Sequence, residues 1–248
     1  IIQHFHGSVG AVQNAPHSTA NVTEVRPEES VESLYDFALL DTMVKRDDLV
    51  FDLWARLSLK NLLVLKGSSG MGKSTLAILL ASKDYGKWKR LDFRDIAPEQ
   101  IKERLIRATI EEAEEGGDFN YIVDDLNFNN RPSTYERALA GFLHSIASHG
   151  GRVVITTQGD LPSLIKLSFD LPPESIYPVP YLSEEEIRKM ALKYGCLSGK
   201  ALDSWGRIIH ATTAGHPQLV HARVKSIANE GWPTPRLDDL IIETGADE

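Results

Sequence analysis

Short apolar runs alternate with longer amphipathic segments through the middle of this 248-residue chain. Continuous apolar runs are typical of strands that are buried on both faces of a sheet. They predict strands at 61–66, 119–124 and 152–157, and weaker patterns predict two more strands at 89–93 and 175–179. Apolar residues at helical spacing predict helices at 47–57, 72–82, 98–115 and 135–147. The alternation predicts an α/β fold: a parallel sheet with helices on both faces. Pro178 and Pro180 lack an N–H, so the last strand is expected at a sheet edge.

The pattern changes after Pro180, where only helical segments follow. Ser183 and Glu186 form a capping box that opens a helix, and Gly195 ends it. Two more helices are predicted near 199–210 and over 217–229, with Pro217 well suited to a first helical position. This stretch predicts a small all-helical lid domain over 181–248, which follows an α/β domain over 28–180.

The first 27 residues are rich in Gly, Ser, Thr, Asn, Ala and His and have little apolar periodicity. We expect a linker or arm at 1–27, in which Ile1, Ile2 and Phe5 form a short strand. Helical spacing of apolar residues predicts a helix over 28–43. The chain starts at Ile1, so we expect it to be a fragment of a longer protein.

Composition narrows the class of protein and its compartment. The formal net charge is −8, without the basic excess that is usual for nucleic-acid-binding modules. A nucleic-acid partner is therefore not expected. The single cysteine permits no intrachain disulfide, which fits a reducing compartment. No apolar run approaches the ~18 residues that a membrane span needs. We expect a cytoplasmic protein without a membrane partner.

The residues that follow the first predicted strand match the phosphate-binding pattern G-x-x-x-x-G-K-[ST] in full. Glycines allow backbone N–H groups to turn toward phosphates, and the next helix directs its positive end at them. Lys73 is expected to reach the β- and γ-phosphates, and the Ser74 hydroxyl to bind Mg²⁺. The sequence therefore predicts an ATP/ADP site with Mg²⁺, formed by Gly67, Ser68, Ser69, Gly70, Met71, Gly72, Lys73, Ser74 and Thr75.

Two carboxylates end the third predicted strand. Mg²⁺ on such a loop usually takes a carboxylate from a strand end beside it, where ligands sit in open α/β sheets. Asp124 is the predicted carboxylate on the metal side, together with Ser74. Asp125 is predicted to orient or deprotonate the attacking water. A solvated acidic turn is the plainer interpretation of the two residues, and the phosphate loop upstream favours the catalytic one.

A polar segment after the next strand completes the predicted site. The hydroxyl of Thr157 and the amide of Gln158 are candidates for sensing the γ-phosphate or positioning the water. A polar strand end without a catalytic role is the alternative interpretation. The predicted catalytic set is thus Lys73, Asp125 and Thr157.

In combination, these motifs resemble the STAND class of signal-transduction ATPases, which are NACHT- and NB-ARC-like relatives of the AAA+ proteins. The resemblance covers about 44–230. It is carried by Lys73–Ala77, the paired acids, Thr-Thr-Gln after a Val-Val-Ile strand, Val179–Glu186 and the G-x-P segment Gly215–Val220. It implies that Val44 and Arg46 lie along the adenine and that Pro217 packs near it. It also implies a switch in which ADP holds the lid closed and ATP releases it for self-association.

Two departures limit what the resemblance implies. Many members carry Arg where this chain has Gln158. The winged-helix domain that usually follows the lid does not follow here, so we expect effector and sensor domains elsewhere in the parent chain. The polar arm is similar to linkers in bacterial defence proteins of the class, which suggests a role in antiviral innate immunity.

Two other functions stay open at this point. A motor or remodelling ATPase of the AAA+ type would need a trans-acting arginine, and Arg131 and Arg152 are the nearest candidates. A GTPase is disfavoured, because Thr157–Asp160 lacks the lysine of the guanine-reading [NT]-K-x-D motif and no D-x-x-G follows the acidic strand.

Overall fold

The computed structural model describes residues 29–30, 44–84, 86–114, 116, 119–128 and 135–235. The strands are β1 (Glu29–Ser30), β2 (Leu62–Lys66), β3 (Lys87–Asp92), β4 (Phe119–Asp124), β5 (Val153–Thr157) and β6 (Ile176–Pro178). The helices are α1 (Asp47–Lys60), α2 (Lys73–Ala81), α3 (Pro98–Glu114), α4 (Glu136–Ser148), α5 (Ser163–Ser168), α6 (Glu184–Lys193), α7 (Lys200–Thr213) and α8 (Pro217–Asn229), with a short 3-10 turn at Pro173–Ser175.

The strands form one sheet in the order β1-β3-β4-β5-β2-β6. Every pair from β3 to β6 is parallel, and the two-residue β1 is antiparallel to β3. The first central strand, β2, lies between β5 and β6, so the loop that follows Lys66 leaves the middle of the sheet. This order brings the carboxyl ends of β2, β4 and β5 together at one edge.

Alternate residues along the strands build two separate cores, as expected from the two-residue period of a strand. Leu62 and Val64 of β2 face the core formed with α3, α4 and α5. Leu63 and Leu65 face the opposite core, formed with α1 and α2. Because both faces are covered, the middle residues of the central strands β2, β4 and β5 are apolar on both sides of the sheet.

The three C-terminal helices form a third core that is distinct from the two sheet cores. Ile187 of α6, Trp205 of α7 and Val220 of α8 are buried in it. Val44, which precedes α1, packs into the same core and so connects the α/β part to the lid. Ser183 caps α6 through a complete capping box with Glu186. Across the described residues, no helix has both the length and the apolar character to cross a membrane.

The predicted α/β architecture with a helical lid is confirmed, and each of the five predicted strands is present. The edge position predicted for the last strand is also confirmed, since β6 ends the sheet. The predicted helix over 28–43 is wrong at Glu29–Ser30, which pairs with Lys89 and Arg90 of β3 instead. Strand pairing there overrides a local helical pattern. The helix α5 was not predicted, because only Ile165 of its six residues is buried and the apolar signal is short.

Several sequence predictions concern residues outside the described ranges. They are the strand near Ile1 and Phe5, the arm at 1–27, the remainder of the 28–43 helix, and the lid from 236 onward. The division of the chain into arm, α/β domain and lid therefore stays a prediction.

Gly215, which lies between α7 and α8, packs tightly against the backbone of Leu182 at the start of the lid. Its φ is +74°, and its carbonyl accepts a hydrogen bond from Leu182 N at 2.8 Å. A Cβ at this position would lie 2.3 Å from the carbonyl oxygen of Leu182, which is backbone and cannot rotate away. Only glycine satisfies both the left-handed backbone and the close approach.

We expect Gly215→Ala to lower the free energy of unfolding by about 2–4 kcal/mol, since a backbone clash adds to the ~1–2 kcal/mol cost of left-handed backbone. Gly195→Ala is the matched control, because Gly195 has φ +87° and no atom within 4 Å of its added Cβ. The control should lose only about 1 kcal/mol. Urea denaturation of both variants makes the comparison, and equal losses would contradict the packing role of Gly215.

Candidate functional site

The phosphate loop runs from the end of β2 into α2. Its start is anchored by Gly67 N, which donates to Thr157 O at the end of β5 at 3.1 Å. Its end is Gly72, whose φ of +77° makes the turn that begins α2 at Lys73. The loop is therefore held between two adjacent parallel strands and the amino end of a helix, which is the arrangement that the sequence motif predicts.

Lys73 is buried, with 6% of its surface exposed. Its Nζ donates to the carbonyl of Ser68 at 2.8 Å, so the side chain folds back along the loop. Burial lowers the pKa of Lys73 from its ordinary value, and the nearby carboxylates of Asp125 and Asp124 partly oppose that shift. Anionic phosphates in the loop would favour the charged ammonium further.

Asp124 ends β4, and its side chain is fully buried. Its Oδ1 accepts hydrogen bonds from Ser74 Oγ at 2.8 Å and from Thr156 Oγ1 at 2.6 Å. Its Oδ2 accepts from Arg90 through both Nε, at 3.0 Å, and Nη2. The structure thus brings the two predicted metal ligands, Ser74 and Asp124, into direct contact and adds two donors that the sequence did not reveal.

Asp125 lies just past the strand end, with a φ of +54° that turns the chain out of the sheet. Its N–H donates to Thr156 Oγ1 at 2.8 Å, and its Oδ1 accepts from Asn127 Nδ2 at 3.1 Å. Its Oδ2 lies 3.6 Å from Arg94 Nε. The carboxylate is only partly buried and is held by two side chains, which leaves it accessible beside the phosphate loop.

Thr157 and Gln158 are located at the end of β5. The Thr157 hydroxyl is buried and accepts from Gly159 N at 3.2 Å, so it closes a local turn. Gln158 is exposed, and its backbone N–H donates to Asn127 Oδ1 at 2.9 Å. The neighbouring Thr156, rather than Thr157, has the hydroxyl that contacts both acidic residues. The predicted catalytic role of Thr157 and the predicted nucleotide-binding role of Gln158 stay predictions.

A largely apolar cavity of about 290 Å³ lies between the phosphate loop, α2 and the lid. Its apolar walls come from both parts of the chain, with Met71, Leu76 and Leu79 on one side and Leu182, Met190 and Pro217 on the other. Of the residues predicted to bind nucleotide, seven line it: Val44, Arg46, Gly70, Met71, Gly72, Thr75 and Pro217. Ligand pockets typically combine such an apolar lining with a few polar groups.

Arg46 lies at the mouth of this cavity and is bound to the start of the lid. Its Nε forms a salt bridge with Glu186 Oε1 at 2.7 Å, and its Nη1 donates to Pro180 O at 3.2 Å. Glu186 also completes the capping box of α6 through its other oxygen. The guanidinium therefore fixes the joint between sheet and lid, in addition to lining the cavity.

The phosphate loop also touches the lid directly. Gln218 N, in the first turn of α8, donates to Gly70 O at 3.2 Å. Gly70 has a φ of +76°, and a Cβ there would lie 2.2 Å from Gln218 Oε1. The lid is thus closed onto the loop, with Pro217 next to this contact.

The two candidate trans-acting arginines are differently placed. Arg152 immediately precedes β5, at the end of the sheet opposite the phosphate loop, where its Nη1 donates to Asp84 Oδ2 at 3.0 Å. Its guanidinium also lies over the ring of Trp54. Arg131 is outside the described residues. Arg152 is therefore held within its own chain.

Four residues of the site were missed by sequence reasoning: Arg90, Arg94, Asn127 and Thr156. Arg90 and Arg94 belong to β3 and the loop after it, the strand with the weakest apolar signal. Their contacts with the acids of β4 depend on the strand register, in which Asp92 lies opposite Asp124. Thr156 carried a usable signal, because it is a hydroxyl residue near the end of a buried strand and is next to Thr157, a predicted site residue.

No protein-family model and no curated protein matches the chain. Solved structures do match its fold. The AMPPCP-bound DnaA of Aquifex aeolicus superposes with a TM-score of 0.51 and 12% identity, over 75% of this chain and 61% of that one. A katanin structure described in terms of self-assembly gives 0.51 and 14%, over 82% and 75%. The RuvB Holliday junction branch migration motor of Thermotoga maritima gives 0.50 and 13%, over 78% and 65%.

The chain therefore spans 61% of the DnaA structure and 65% of the RuvB structure. At such low identities the likeness concerns the fold alone. Together with a complete phosphate loop after the central strand β2, it shows that the described part of the chain has an α/β P-loop fold like that of these structures.

Proposed function

We propose that this chain is the ATP/ADP-binding switch module of a STAND-type signalling ATPase, with slow Mg²⁺-dependent hydrolysis that controls lid opening and self-association. The observation that carries the proposal is the cavity between phosphate loop and lid, which is closed by the Gln218–Gly70 hydrogen bond. A nucleotide in this location would touch both parts of the chain. Its chemical state could then alter their contact.

The base and the phosphates have separate binding surfaces. The apolar walls of the cavity suit a planar base, and Pro217 contributes a ring that has no N–H to leave unpaired. The loop from Gly67 to Gly72 suits the phosphates, with Lys73 as its buried cation. Adenine is proposed over guanine because the chain lacks a [NT]-K-x-D motif.

Ser74 and Asp124 are the residues that would hold Mg²⁺. Their oxygens lie 2.8 Å apart at the phosphate end of the loop, and hard oxygen donors are what Mg²⁺ prefers. Within the described residues there is no group of three or more His, Cys, Asp or Glu side chains arranged for a metal. That fits an ion held by one or two protein groups and by phosphate oxygens. When bound, Mg²⁺ would neutralise charge that develops on the phosphates.

Asp125 is the proposed base for the attacking water. Its carboxylate is oriented by Asn127 at 3.1 Å and remains partly exposed at the strand end. Arg94, next to it, supplies a positive charge on this side of the loop, where Gln158 cannot. Thr157 and Gln158 are proposed to report on the γ-phosphate through the hydrogen bond that Gly67 N of the loop donates to Thr157 O.

The switch requires contacts that differ between nucleotide states, because a ligand shifts a population only by its differential affinity. Gln218 N–Gly70 O and the packing of Pro217 on the cavity are contacts that lid opening would break. The Arg46–Glu186 salt bridge lies at the joint and would remain as the pivot. Opening would expose the apolar cavity walls, which supports self-association of the opened form in the cytoplasm.

A motor or remodelling ATPase is the second candidate, and the fold likeness favours it equally. One structural relative is a branch migration motor, and another is described for its self-assembly. A working motor would need an arginine donated to the neighbouring subunit's site. Arg152 is paired with Asp84 within its own chain, which weighs against it in that role.

We expect Lys73→Ala to abolish binding of ATP and ADP, because the loop loses the buried cation that faces the phosphates. Isothermal titration calorimetry with each nucleotide measures the loss. Asp125→Asn is the matched control, since it changes one charge beside the loop and should keep ADP binding while lowering hydrolysis. Micromolar affinity in Lys73→Ala would contradict the nucleotide-site proposal.

The lid is tested by Pro217→Ala. Loss of two ring methylenes from the cavity wall should raise the ADP dissociation rate roughly tenfold, on the basis of ~0.8 kcal/mol per buried CH₂. Stopped-flow release of a fluorescent ADP analogue measures the rate. Leu219→Ala is the control, because Leu219 belongs to the same helix but is exposed and does not line the cavity. An unchanged rate in Pro217→Ala would mean that the proline merely begins α8.

A further inference from the structure

The buried carboxylate of Asp124 is paired with an arginine from the neighbouring strand. Arg90 of β3 donates to Asp124 Oδ2 through Nε at 3.0 Å and also through Nη2. The Asp124 side chain is fully buried, and the Arg90 side chain is 15% exposed. A buried carboxylate needs such a partner, because an uncompensated charge is costly in a medium of low dielectric constant.

The acceptor capacity of Asp124 is completely used by these contacts. An ionised carboxylate offers about four lone-pair sites. Two hydroxyl donors, from Ser74 and Thr156, contact Oδ1, and two guanidinium N–H groups contact Oδ2. A further cation at Asp124 must therefore displace one of them.

Asp92 offers Arg90 a second acceptor within reach. Arg90 Nη2 lies 3.4 Å from Asp92 Oδ2, and the two residues share a face of β3 because they are two positions apart. Strand register sets Asp92 opposite Asp124, so two carboxylates lie side by side with one guanidinium between them. Asp92 Oδ1 is already used by Arg94 N at 3.0 Å, which fixes the orientation of the carboxylate and leaves Oδ2 for Arg90.

We propose that Arg90 is a built-in counter-cation that competes with Mg²⁺ for Asp124, and that metal binding moves it from Asp124 to Asp92. The proposal rests on the proposed nucleotide site. Arg90 compensates the buried carboxylate of Asp124 when no metal is bound, and it lowers the share of nucleotide affinity that depends on the metal. It is a positioning residue, since it acts on the metal ligand rather than on the nucleotide.

Competition with the metal and a purely structural role predict opposite changes in metal affinity when Arg90 is removed. If Arg90 only oriented Asp124, its loss would weaken the metal site. If Arg90 competes with the metal, removing its charge should strengthen the site, because a guanidinium on the same buried carboxylate repels a divalent cation. The measurable quantity is the metal coupling ratio, defined as the dissociation constant of a nucleotide in EDTA divided by that in excess Mg²⁺.

The experiment measures this ratio by isothermal titration calorimetry with AMPPCP, a non-hydrolysable ATP analogue. Arg90→Gln retains a hydrogen-bond donor and removes the charge. We expect its metal coupling ratio to exceed that of the wild type about tenfold, equivalent to ~1.4 kcal/mol. Arg90→Lys keeps the positive charge that repels the metal ion, so its ratio should stay within about twofold of the wild type.

Asp92→Asn tests the second half of the proposal from the opposite direction. It removes the charge on the acceptor to which Arg90 would move, so Arg90 should stay on Asp124 and the ratio should fall severalfold below the wild-type value. This variant also carries the test if Arg90→Gln does not fold. Lys89→Gln is the control for charge, because Lys89 is a cation of the same strand whose side chain lies over the Phe119 ring. Its ratio should match the wild type.

A ratio in Arg90→Gln that falls or stays unchanged overturns the inference, as does an unchanged ratio in Asp92→Asn. A wild-type chain that binds AMPPCP in neither buffer overturns the proposed function itself. The two failures are therefore distinguishable in the same set of titrations.

Discussion

The site depends on the compensation of one buried negative charge, the carboxylate of Asp124. Asp124 has no exposed surface, so its carboxylate must be satisfied by the protein. The donors come from three elements besides its own strand: Ser74 of α2, Thr156 of β5 and Arg90 of β3. These bonds fix α2, and with it the phosphate loop, against the carboxyl edge of the sheet. The adjacent Asp125 is held by the same Thr156 hydroxyl, which connects the two acidic positions.

The second constraint is the closure of the lid. Three of the contacts described above join it to the α/β part: the Arg46–Glu186 salt bridge, the packing of Val44 into the core of the lid and the Gln218–Gly70 hydrogen bond. The first two lie at the joint, and the third lies on the phosphate loop. The cavity exists because of this closure, since its walls come from both sides. In the proposed switch, nucleotide state acts on the third contact while the first two keep the domains connected.

The sequence predicted those features that have strong local signals. Three glycines and a lysine at fixed spacing identify the phosphate loop, and continuous apolar runs identify the central strands. The contact of Ser74 with Asp124 followed from the rule that parallel strands end at one edge. Arg90 was not predicted as a site residue, because its partner Asp124 is 34 residues away in the sequence. Strand register rather than sequence spacing brings the two together.

Weak local signals explain the other differences. The pairing of Glu29–Ser30 with β3 is a tertiary contact that a helical pattern could not reveal, and α5 is too short for periodicity to show. Val44 and Pro217 were predicted to lie near the base only from the resemblance to the STAND class, because nothing in their local sequence indicates a binding site for a base.

The central claim is that the closed lid and the phosphate loop hold an adenine nucleotide between them. The most direct measurement is to denature the freshly purified protein and identify the released nucleotide by ion-exchange chromatography. We expect ADP in close to stoichiometric amount, because the closed lid should slow its release. Release of a guanine nucleotide, or of no nucleotide at all, would contradict it.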